Sequence, residues 1–215
     1  MHRTYVHPLP VRIWHWANAL GFVLLIVTGL QIRYADILGL MTFESAVRFH
    51  NWLGFAVIAN YFVWLLFYLL TDKISIYHPE LDAKKYFQDS LRQMRFYAYG
   101  IFRGEPNPHH VSPYAKFNPL QKVMYQIVML LVVPVQFGTG LLLWDVARFS
   151  GWVEALGGVR VVSTLHTLIF IFFAAFLLIH VYLGSLGHTA SAHFKAMLTG
   201  YEEDHEDAPP AAQAG

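Results

Sequence analysis

The chain of 215 residues contains no cysteine. This absence excludes disulfide bonds, thiolate-ligated iron–sulfur clusters, zinc–thiolate sites and covalent haem attachment through a C-x-x-C-H motif. Any metal chemistry must therefore depend on other ligands. Histidine is the first candidate, because 12 histidines is a high count for a chain of this length.

Charged residues are also scarce. They make up 13% of the chain, which is about half the share in an average soluble protein. Hydrophobic residues account for 56%, and the mean hydropathy is +0.40. This composition predicts an integral membrane protein with a single bundle-sized domain. The net charge of +1 gives no reason to expect a nucleic-acid partner.

Four apolar runs are each long enough to cross a membrane, whose hydrocarbon core needs about 20 helical residues. They span residues 13–32, 47–70, 120–143 and 161–186. The first run is too long for the apolar core of a signal peptide, so we expect it to be retained. The sequence thus predicts an all-α fold, a four-helix transmembrane bundle within a domain of residues 1–200.

The polar segments predict smaller elements at the membrane surface. In the long loop 71–117, the segment 81–99 mixes charges with apolar side chains, as an amphipathic helix on a membrane surface does. A second short amphipathic segment is expected at 190–199. Residues 201–215 are acidic and then rich in proline and alanine, so we expect a disordered tail.

The fourth run carries two histidines, His166 and His180, which are 14 residues apart. Fourteen residues rise roughly 21 Å along an α-helix and return to within about 40° of the starting direction. Both imidazoles therefore lie on one helix face, one near each membrane surface. Ionisable side chains inside a span usually face the protein interior and have a partner there.

Lysine and arginine predict the orientation of the chain, because they accumulate in cytoplasmic loops. Basic residues are concentrated in the N-terminal segment and in the loop 71–117, whereas the other two loops carry few. We therefore expect a multi-pass protein of the bacterial inner (cytoplasmic) membrane with both termini in the cytoplasm.

This orientation gives each histidine of the spans a depth. His15 and His180 lie near the inner face, and His50 and His166 near the outer face. The outer pair is thus His50 with His166, and the inner pair is His15 with His180. Two six-coordinate b haems, each with two histidine axial ligands on its iron, fit this arrangement and favour electron transfer over substrate chemistry. The alternatives are zinc with additional ligands, a proton relay, or histidines that only pack.

Two other residues of the spans have local consequences. Gly54, one turn after His50, would let a flat ring approach the helix backbone, or would simply permit close helix packing. Pro134 predicts a kink in the third run.

A series of motifs then resembles the di-haem cytochrome b subunits of membrane-bound nickel–iron hydrogenases, the gamma subunit of formate dehydrogenase and the thiosulfate-reductase-type cytochrome b anchors. The motifs are HPLPVRIWHW and Thr28-Gly29 in the first run, RFHNWLG in the second, FNPLQK at the start of the third, LHTLIFIFFAAFLLIHVYLG in the fourth and FKAMLTG after it. They cover nearly the whole chain in order, and the two histidines 14 residues apart are the most specific feature.

The resemblance implies the same pairing of His15, His50, His166 and His180 as haem axial ligands. It also implies a quinone site beside the inner haem, near the start of the third run. Asn118 in FNPLQK is the residue that this resemblance assigns to the quinone site, and a helix N-cap ahead of a proline is its other interpretation.

The resemblance also bears on four residues near the ends of the spans. His188, after the fourth run, would line the quinone pocket or contact a partner subunit. Three arginines lie at depths where they would pair with haem propionates or, alternatively, snorkel at the interface. They are Arg12, Arg48 and Arg160.

The function implied by the resemblance is that of a quinone-reactive membrane anchor. Such a subunit transfers electrons between the quinone pool and the iron–sulfur and catalytic subunits of a hydrogenase, formate dehydrogenase or sulfur-compound reductase. One alternative is a stand-alone di-haem quinone oxidoreductase with a small diffusible electron acceptor or donor. The other is an anchor without redox function, whose histidines only pack.

Overall fold

The structure, a computed structural model, describes residues 2–71, 82–109, 117–186 and 189–204. The elements in chain order are β1 (His2–Tyr5), α1 (Leu9–Arg33), α2 (Ala35–Leu38), α3 (Phe43–Leu69), α4 (Ala83–Ala98), a 3₁₀ turn (Gly100–Arg103), α5 (Pro119–Ile127), a π turn (Val128–Val132), α6 (Val133–Trp144), α7 (Ser150–Ala155), α8 (Val159–Gly184), α9 (Ala192–Thr199) and β2 (Tyr201–Asp204).

Four helical segments are long and apolar enough to cross a membrane. They are α1, α3, the continuous segment Pro119–Trp144 formed by α5, the π turn and α6, and α8. Each begins and ends within a few residues of a predicted run, and the predicted all-α bundle is confirmed. The short helices α2 and α7 lie in the two loops that join the spans at one end of the bundle.

The ends of the long helices follow from local sequence signals. Pro10 lies in the first turn of α1, where its missing amide hydrogen removes no helical hydrogen bond. Thr42 caps α3 by accepting a hydrogen bond from the backbone N–H of Ser45 at 3.2 Å. Before α8 the chain turns sharply through Gly157 and Gly158, whose φ angles of 97° and 92° favour glycine.

α1 and α3 pack most closely. Gly21 of α1 is buried against Val57 of α3, because a Cβ atom at position 21 would lie 2.5 Å from Val57 Cγ2. Polar side chains join the same two helices within the span. The Trp14 indole N–H donates to the backbone carbonyl of Asn60 at 3.0 Å, and the side-chain amide of Asn60 donates to the backbone carbonyl of Trp14 at 3.3 Å. Such interhelical hydrogen bonds stabilise packing where no water competes.

The third span is irregular just before Pro134. Residues 128–132 form a π turn, in which the amide of Val133 bonds to the carbonyl of Val128. Pro134 has no amide hydrogen, so it can donate neither the next π-type bond, to the carbonyl of Met129, nor an α-helical bond to the carbonyl of Leu130. The sequence predicts a kink at Pro134, and the structure has a π turn on its N-terminal side, a common way for a helix to absorb such a defect.

The hydrophobic core lies between α3, the π turn with the first residue of α6, and α8. Its buried members are Tyr61, Trp64, Tyr68, Val128, Met129, Val133 and Phe173. Aromatic rings from the other spans pack around it, including those of Trp14, Phe22 and Tyr125. The core therefore contacts all four spans and holds them in a single bundle.

The C-terminal segment folds back onto the start of α1. β2 pairs antiparallel with β1, with Tyr5 opposite Tyr201. The Trp16 indole N–H donates to the Met197 carbonyl at 3.1 Å, and the Arg12 guanidinium donates to the Leu198 carbonyl at the end of α9. The tail is predicted from residue 201, whereas the structure has residues 201–204 in β2, where pairing with β1 provides backbone partners that their composition alone does not predict. Residues 205–215 lie outside the described residues.

Candidate functional site

The four histidines of the spans form two ring pairs. His50 on α3 and His166 on α8 have ring centroids 6.3 Å apart, with an angle of 73° between the ring planes. His15 on α1 and His180 on α8 have centroids 6.1 Å apart, at 43°. We keep the names outer pair and inner pair, which follow the predicted orientation. The partners are those that depth predicts.

The spacing within each pair fits a metal ion between two imidazoles. Two metal–nitrogen bonds of about 2.0 Å on opposite sides of the ion, plus about 1 Å from each nitrogen to its ring centre, give roughly 6 Å between centroids. Among the residues that the structure describes, no three His, Cys, Asp or Glu side chains form a metal-binding cluster. Each pair therefore offers a metal ion two imidazoles, without a third such side chain among the described residues.

Thr28, in α1, orients the ring of His50. Its hydroxyl oxygen lies 2.9 Å from His50 Nδ1. The hydroxyl hydrogen is directed to the backbone carbonyls of Leu24 and Leu25, at 2.8 and 3.2 Å. A hydroxyl has a single hydrogen to donate, so its oxygen must accept from Nδ1–H. The Nε2 lone pair of His50 is therefore available to a metal.

Thr139, in α6, makes the same arrangement with His166. Its hydroxyl donates to the Val135 and Gln136 carbonyls at 2.9 and 3.0 Å, and its oxygen lies 2.9 Å from His166 Nδ1. The Gln136 amide nitrogen lies 3.3 Å from His166 Nε2. That nitrogen is the acceptor, because the ring hydrogen is on Nδ1. Gln136 thus contacts the ring nitrogen through which His166 would bind a metal.

A glycine follows each of these threonines and lies against the same histidine. A Cβ atom on Gly29 would lie 3.5 Å from His50 Cε1, and one on Gly140 would lie 3.3 Å from His166 Cε1. Gly54, in contrast, has open space where its Cβ would be, with no atom within 4 Å. The glycines that contact the imidazoles are therefore those of the two Thr-Gly pairs.

The inner pair is surrounded by aromatic rings. Phe176, one turn before His180, is stacked on its imidazole with centroids 5.7 Å apart at 19°. Trp16 meets the His15 ring edge-on at 5.2 Å. Midway between the two pairs, Phe22 and Phe173 are in edge-to-face contact at 5.0 Å. Phe22 lies seven residues after His15, and Phe173 lies seven residues from both histidines of α8.

The three candidate arginines have different surroundings. Arg48 forms an exposed ion pair with Glu44 at 2.8 Å, and Arg12 donates to the Leu198 carbonyl. Arg48 also lines a surface groove of about 370 Å³ with Trp52, Phe55 and Trp144. Arg160 lines a separate apolar groove of similar size along α8. His188 lies outside the described residues.

Asn118 is buried at the start of the third span and caps it. Its side-chain oxygen accepts from the Gln121 backbone N–H at 2.9 Å, and Gln121 Oε1 accepts from the Asn118 N–H at 3.0 Å, which completes a capping box. Its amide donates to the Tyr97 hydroxyl at 3.0 Å. Burial raises the pKa of Tyr97, against the opposing effect of hydrogen bonds with Gln93 and Asn118, so the phenol stays neutral. The predicted N-cap is thus observed.

Thr28 and Thr139 are site residues whose contacts sequence reasoning missed. The sequence does indicate that the two threonines lie near the outer histidines, because each Thr-Gly pair is on a span close to the depth of one of them. Which hydroxyl meets which imidazole depends on how adjacent helices are rotated, and neither the spacing nor the composition specifies this rotation.

Known proteins resemble this chain over most of its length. The family model described as prokaryotic cytochrome b561 matches residues 6–200. The chain is 34% identical over 205 residues to the putative cytochrome YdhU of Escherichia coli (strain K12), with 93% of this chain and 74% of that protein covered. It is 28% identical over 200 residues to the probable Ni/Fe-hydrogenase B-type cytochrome subunit of Cupriavidus necator, with 83% and 78% covered.

A further relative carries a different name. The chain is 25% identical over 180 residues to the putative protein-methionine-sulfoxide reductase subunit YedZ1 of Azospira oryzae, with 82% of this chain and 88% of that protein covered. The match of the family model and the identity to YdhU confirm the resemblance seen in the sequence motifs. The chain belongs to the prokaryotic cytochrome b561 family and is a multi-pass membrane cytochrome b, with b-type haem as the cofactor that this family implies.

Proposed function

We propose that this chain binds two b haems, one between His50 and His166 and the other between His15 and His180. The observation that carries this proposal is the presence of two imidazole pairs with centroids 6.3 and 6.1 Å apart, both on one face of α8. The hydrogen bonds of the outer pair support it, because Thr28 and Thr139 engage the Nδ1 atoms and leave Nε2 as the nitrogen of each ring that a metal would bind, with the Gln136 amide against that of His166. A bis-histidine haem is a one-electron carrier without an open coordination position.

We further propose that the chain lies in the bacterial cytoplasmic membrane with both termini inside. The excess of lysine and arginine in the N-terminal segment and the loop 71–117 supports this orientation. The outer pair would then lie near the periplasm and the inner pair near the cytoplasm. Electron transfer between the two pairs would move charge across the membrane.

The proposed role is that of a quinone-reactive anchor for an iron–sulfur and a catalytic subunit. Relatives named as probable hydrogenase cytochrome subunits support this role, as does the relative named as a putative reductase subunit. Quinone would react near the inner pair. Because both polar ends of Asn118 are engaged, we propose that it serves this site by positioning Tyr97 and the start of α5.

The haem proposal is tested with the purified protein in detergent. We expect two haems per chain, and we expect His50→Ala and His180→Ala each to remove one, with different bands lost from the reduced-minus-oxidised spectrum. His109→Ala, in a loop outside the spans, is the matched control and should retain both haems. One haem in the unmodified protein, or loss of the same haem in both variants, would contradict the assignment.

The partner is tested by purification from the native membrane under mild conditions. We expect the chain to co-purify with an iron–sulfur subunit whose reduced clusters reduce the haems. A chain that is isolated alone and that reduces a small acceptor with quinol at full rate would contradict the anchor role, while leaving the haem assignment intact.

A further inference from the structure

We propose that Thr28 and Thr139 are positioning residues that bias the outer haem toward its oxidised state. Each would act by accepting the Nδ1–H of one axial histidine and so making that imidazole a stronger electron donor to the iron. This inference rests on the proposed function, because it requires a haem between His50 and His166. It concerns residues outside the ligand set, each on a different helix from the histidine that it contacts.

At Thr28 the hydrogen bonds assign the hydroxyl the acceptor role toward His50, beside the Leu25 backbone carbonyl, which also contacts this imidazole. The side chain is 5% exposed, so water does not compete for it. Its hydrogen goes to the backbone of its own helix, at Leu24 O 2.8 Å away. A hydroxyl that already donates a hydrogen bond is a better acceptor, because hydrogen bonds in a chain polarise one another. The 2.9 Å contact with His50 Nδ1 is therefore a hydrogen bond in which the Thr28 oxygen accepts from the imidazole N–H.

Thr139 repeats each of these features in the second half of the chain. It is also 5% exposed, donates to the carbonyl four residues earlier at 2.9 Å and lies 2.9 Å from His166 Nδ1. The chain thus has two equivalent units, in which a Thr-Gly pair on one helix contacts a histidine on a neighbouring helix. The first unit is formed by α1 and α3, and the second by α6 and α8. The two units face each other across the outer pair.

The glycine in each unit makes this contact possible. Gly29 and Gly140 let the imidazole lie close to the helix that carries the threonine, because a Cβ atom there would be 3.5 and 3.3 Å from the ring. With the ring held at this distance, the neighbouring hydroxyl reaches Nδ1. The hydroxyl and the glycine together determine the position, rotation and tautomer of the ring.

The inner pair lacks this arrangement on the α8 side. Within the described part of the chain, His180 makes no hydrogen bond to a hydroxyl and is stacked on Phe176 instead. Second-sphere acceptors raise the basicity of metal-bound imidazoles, and a more basic ligand stabilises the more positive oxidised iron. The threonines therefore act on one of the two haems.

The test is a redox titration of the purified di-haem protein with the threonines changed to valine. Valine keeps the shape and removes the hydroxyl acceptor, while the backbone carbonyls of Leu25 and Gln136 beside the two rings remain. We expect Thr28→Val or Thr139→Val to shift the oxidation–reduction equilibrium of one haem about tenfold toward the reduced form, which is about 59 mV for one electron. The other haem should be unchanged. Thr167→Val is the matched control, because the Thr167 hydroxyl also donates to the carbonyl four residues earlier, at 2.8 Å, but its side chain is exposed although it directly follows His166 in the chain.

Conservative variants keep the test decisive if valine weakens haem binding. Thr28→Ser and Thr139→Ser retain the hydroxyl and should keep both haems near the unmodified potentials. The inference would be overturned if serine and valine had the same effect, if both haems shifted equally, or if both valine variants left both potentials unchanged. His50→Ala separates the two proposals: if it leaves both redox transitions intact, the ligand assignment is wrong, whereas silent threonine variants in a protein that needs His50 refute only this inference.

Discussion

The hydroxyl of Tyr61 donates a hydrogen bond to the backbone carbonyl of Met129 at 2.9 Å. In the π turn, the backbone donor for this carbonyl would be residue 134, which is a proline without an amide hydrogen. Tyr61, on α3, thus satisfies a carbonyl that the irregular third span leaves unpaired inside the bundle. A side chain from one span compensates for the proline of another.

Removing this hydroxyl should destabilise the bundle. Tyr61→Phe leaves the Met129 carbonyl buried and unpaired, so we expect a loss of about 1–3 kcal/mol in the free energy of unfolding, measured by thermal or denaturant unfolding in detergent. Adding Pro134→Ala provides an amide hydrogen and should recover part of the loss. Tyr182→Phe changes an exposed tyrosine of α8 and serves as the control. Equal stability of Tyr61→Phe and the unmodified protein would show that another donor takes over.

The two glycines of the Thr-Gly pairs should differ in their tolerance of alanine. At Gly140 the new Cβ would lie 3.3 Å from the His166 ring, which must move by a few tenths of an ångström, whereas the 3.5 Å at Gly29 is an ordinary contact. We expect Gly140→Ala to lower haem content and to cost about 1–3 kcal/mol through overpacking, with a smaller effect for Gly29→Ala. Gly151→Ala, where nothing lies within 4 Å, is the control. The reverse order would show that the histidine rings sit differently in the haem-loaded protein.

The cap and the proposed quinone role of Asn118 can be separated. Asn118→Ala removes the cap and should cost about 1 kcal/mol of stability, whereas Tyr97→Phe leaves the cap intact. We expect Tyr97→Phe to slow oxidation of the haems by a quinone analogue, and to cost about 1–3 kcal/mol of stability because it leaves the buried Asn118 amide without this partner. If quinone kinetics are normal in both variants, Asn118 is only a helix cap.

Arg12 provides a test of what holds the C-terminal segment. Arg12→Gln removes the guanidinium that donates to the Leu198 carbonyl near the end of α9, an interaction worth about 1 kcal/mol at a helix C-terminus. We expect amide exchange of residues 192–204 to become roughly fivefold faster, which corresponds to that energy, with unchanged haem spectra. A changed spectrum with unchanged exchange would instead assign Arg12 to a haem propionate.

Some features of this protein are local properties of the chain, and the sequence was sufficient to predict them. The length and apolarity of the four runs determine which segments form long helices, because each helix satisfies its own backbone. The 14-residue interval between His166 and His180 places both on one face of α8, because the helical period is constant. Asn118 ahead of Pro119 predicts a helix cap for the same local reason.

Other features depend on how helices from different parts of the chain are rotated and packed, and only the tertiary structure decided them. The contacts of Thr28 with His50 and of Thr139 with His166, the compensation of Pro134 by Tyr61, and the pairing of residues 201–204 with β1 are all of this kind. These contacts join residues that are 22 to 202 positions apart in the chain. Helix length and periodicity carry no information on such contacts, because they follow from side-chain packing between elements and not from the preference of any single segment.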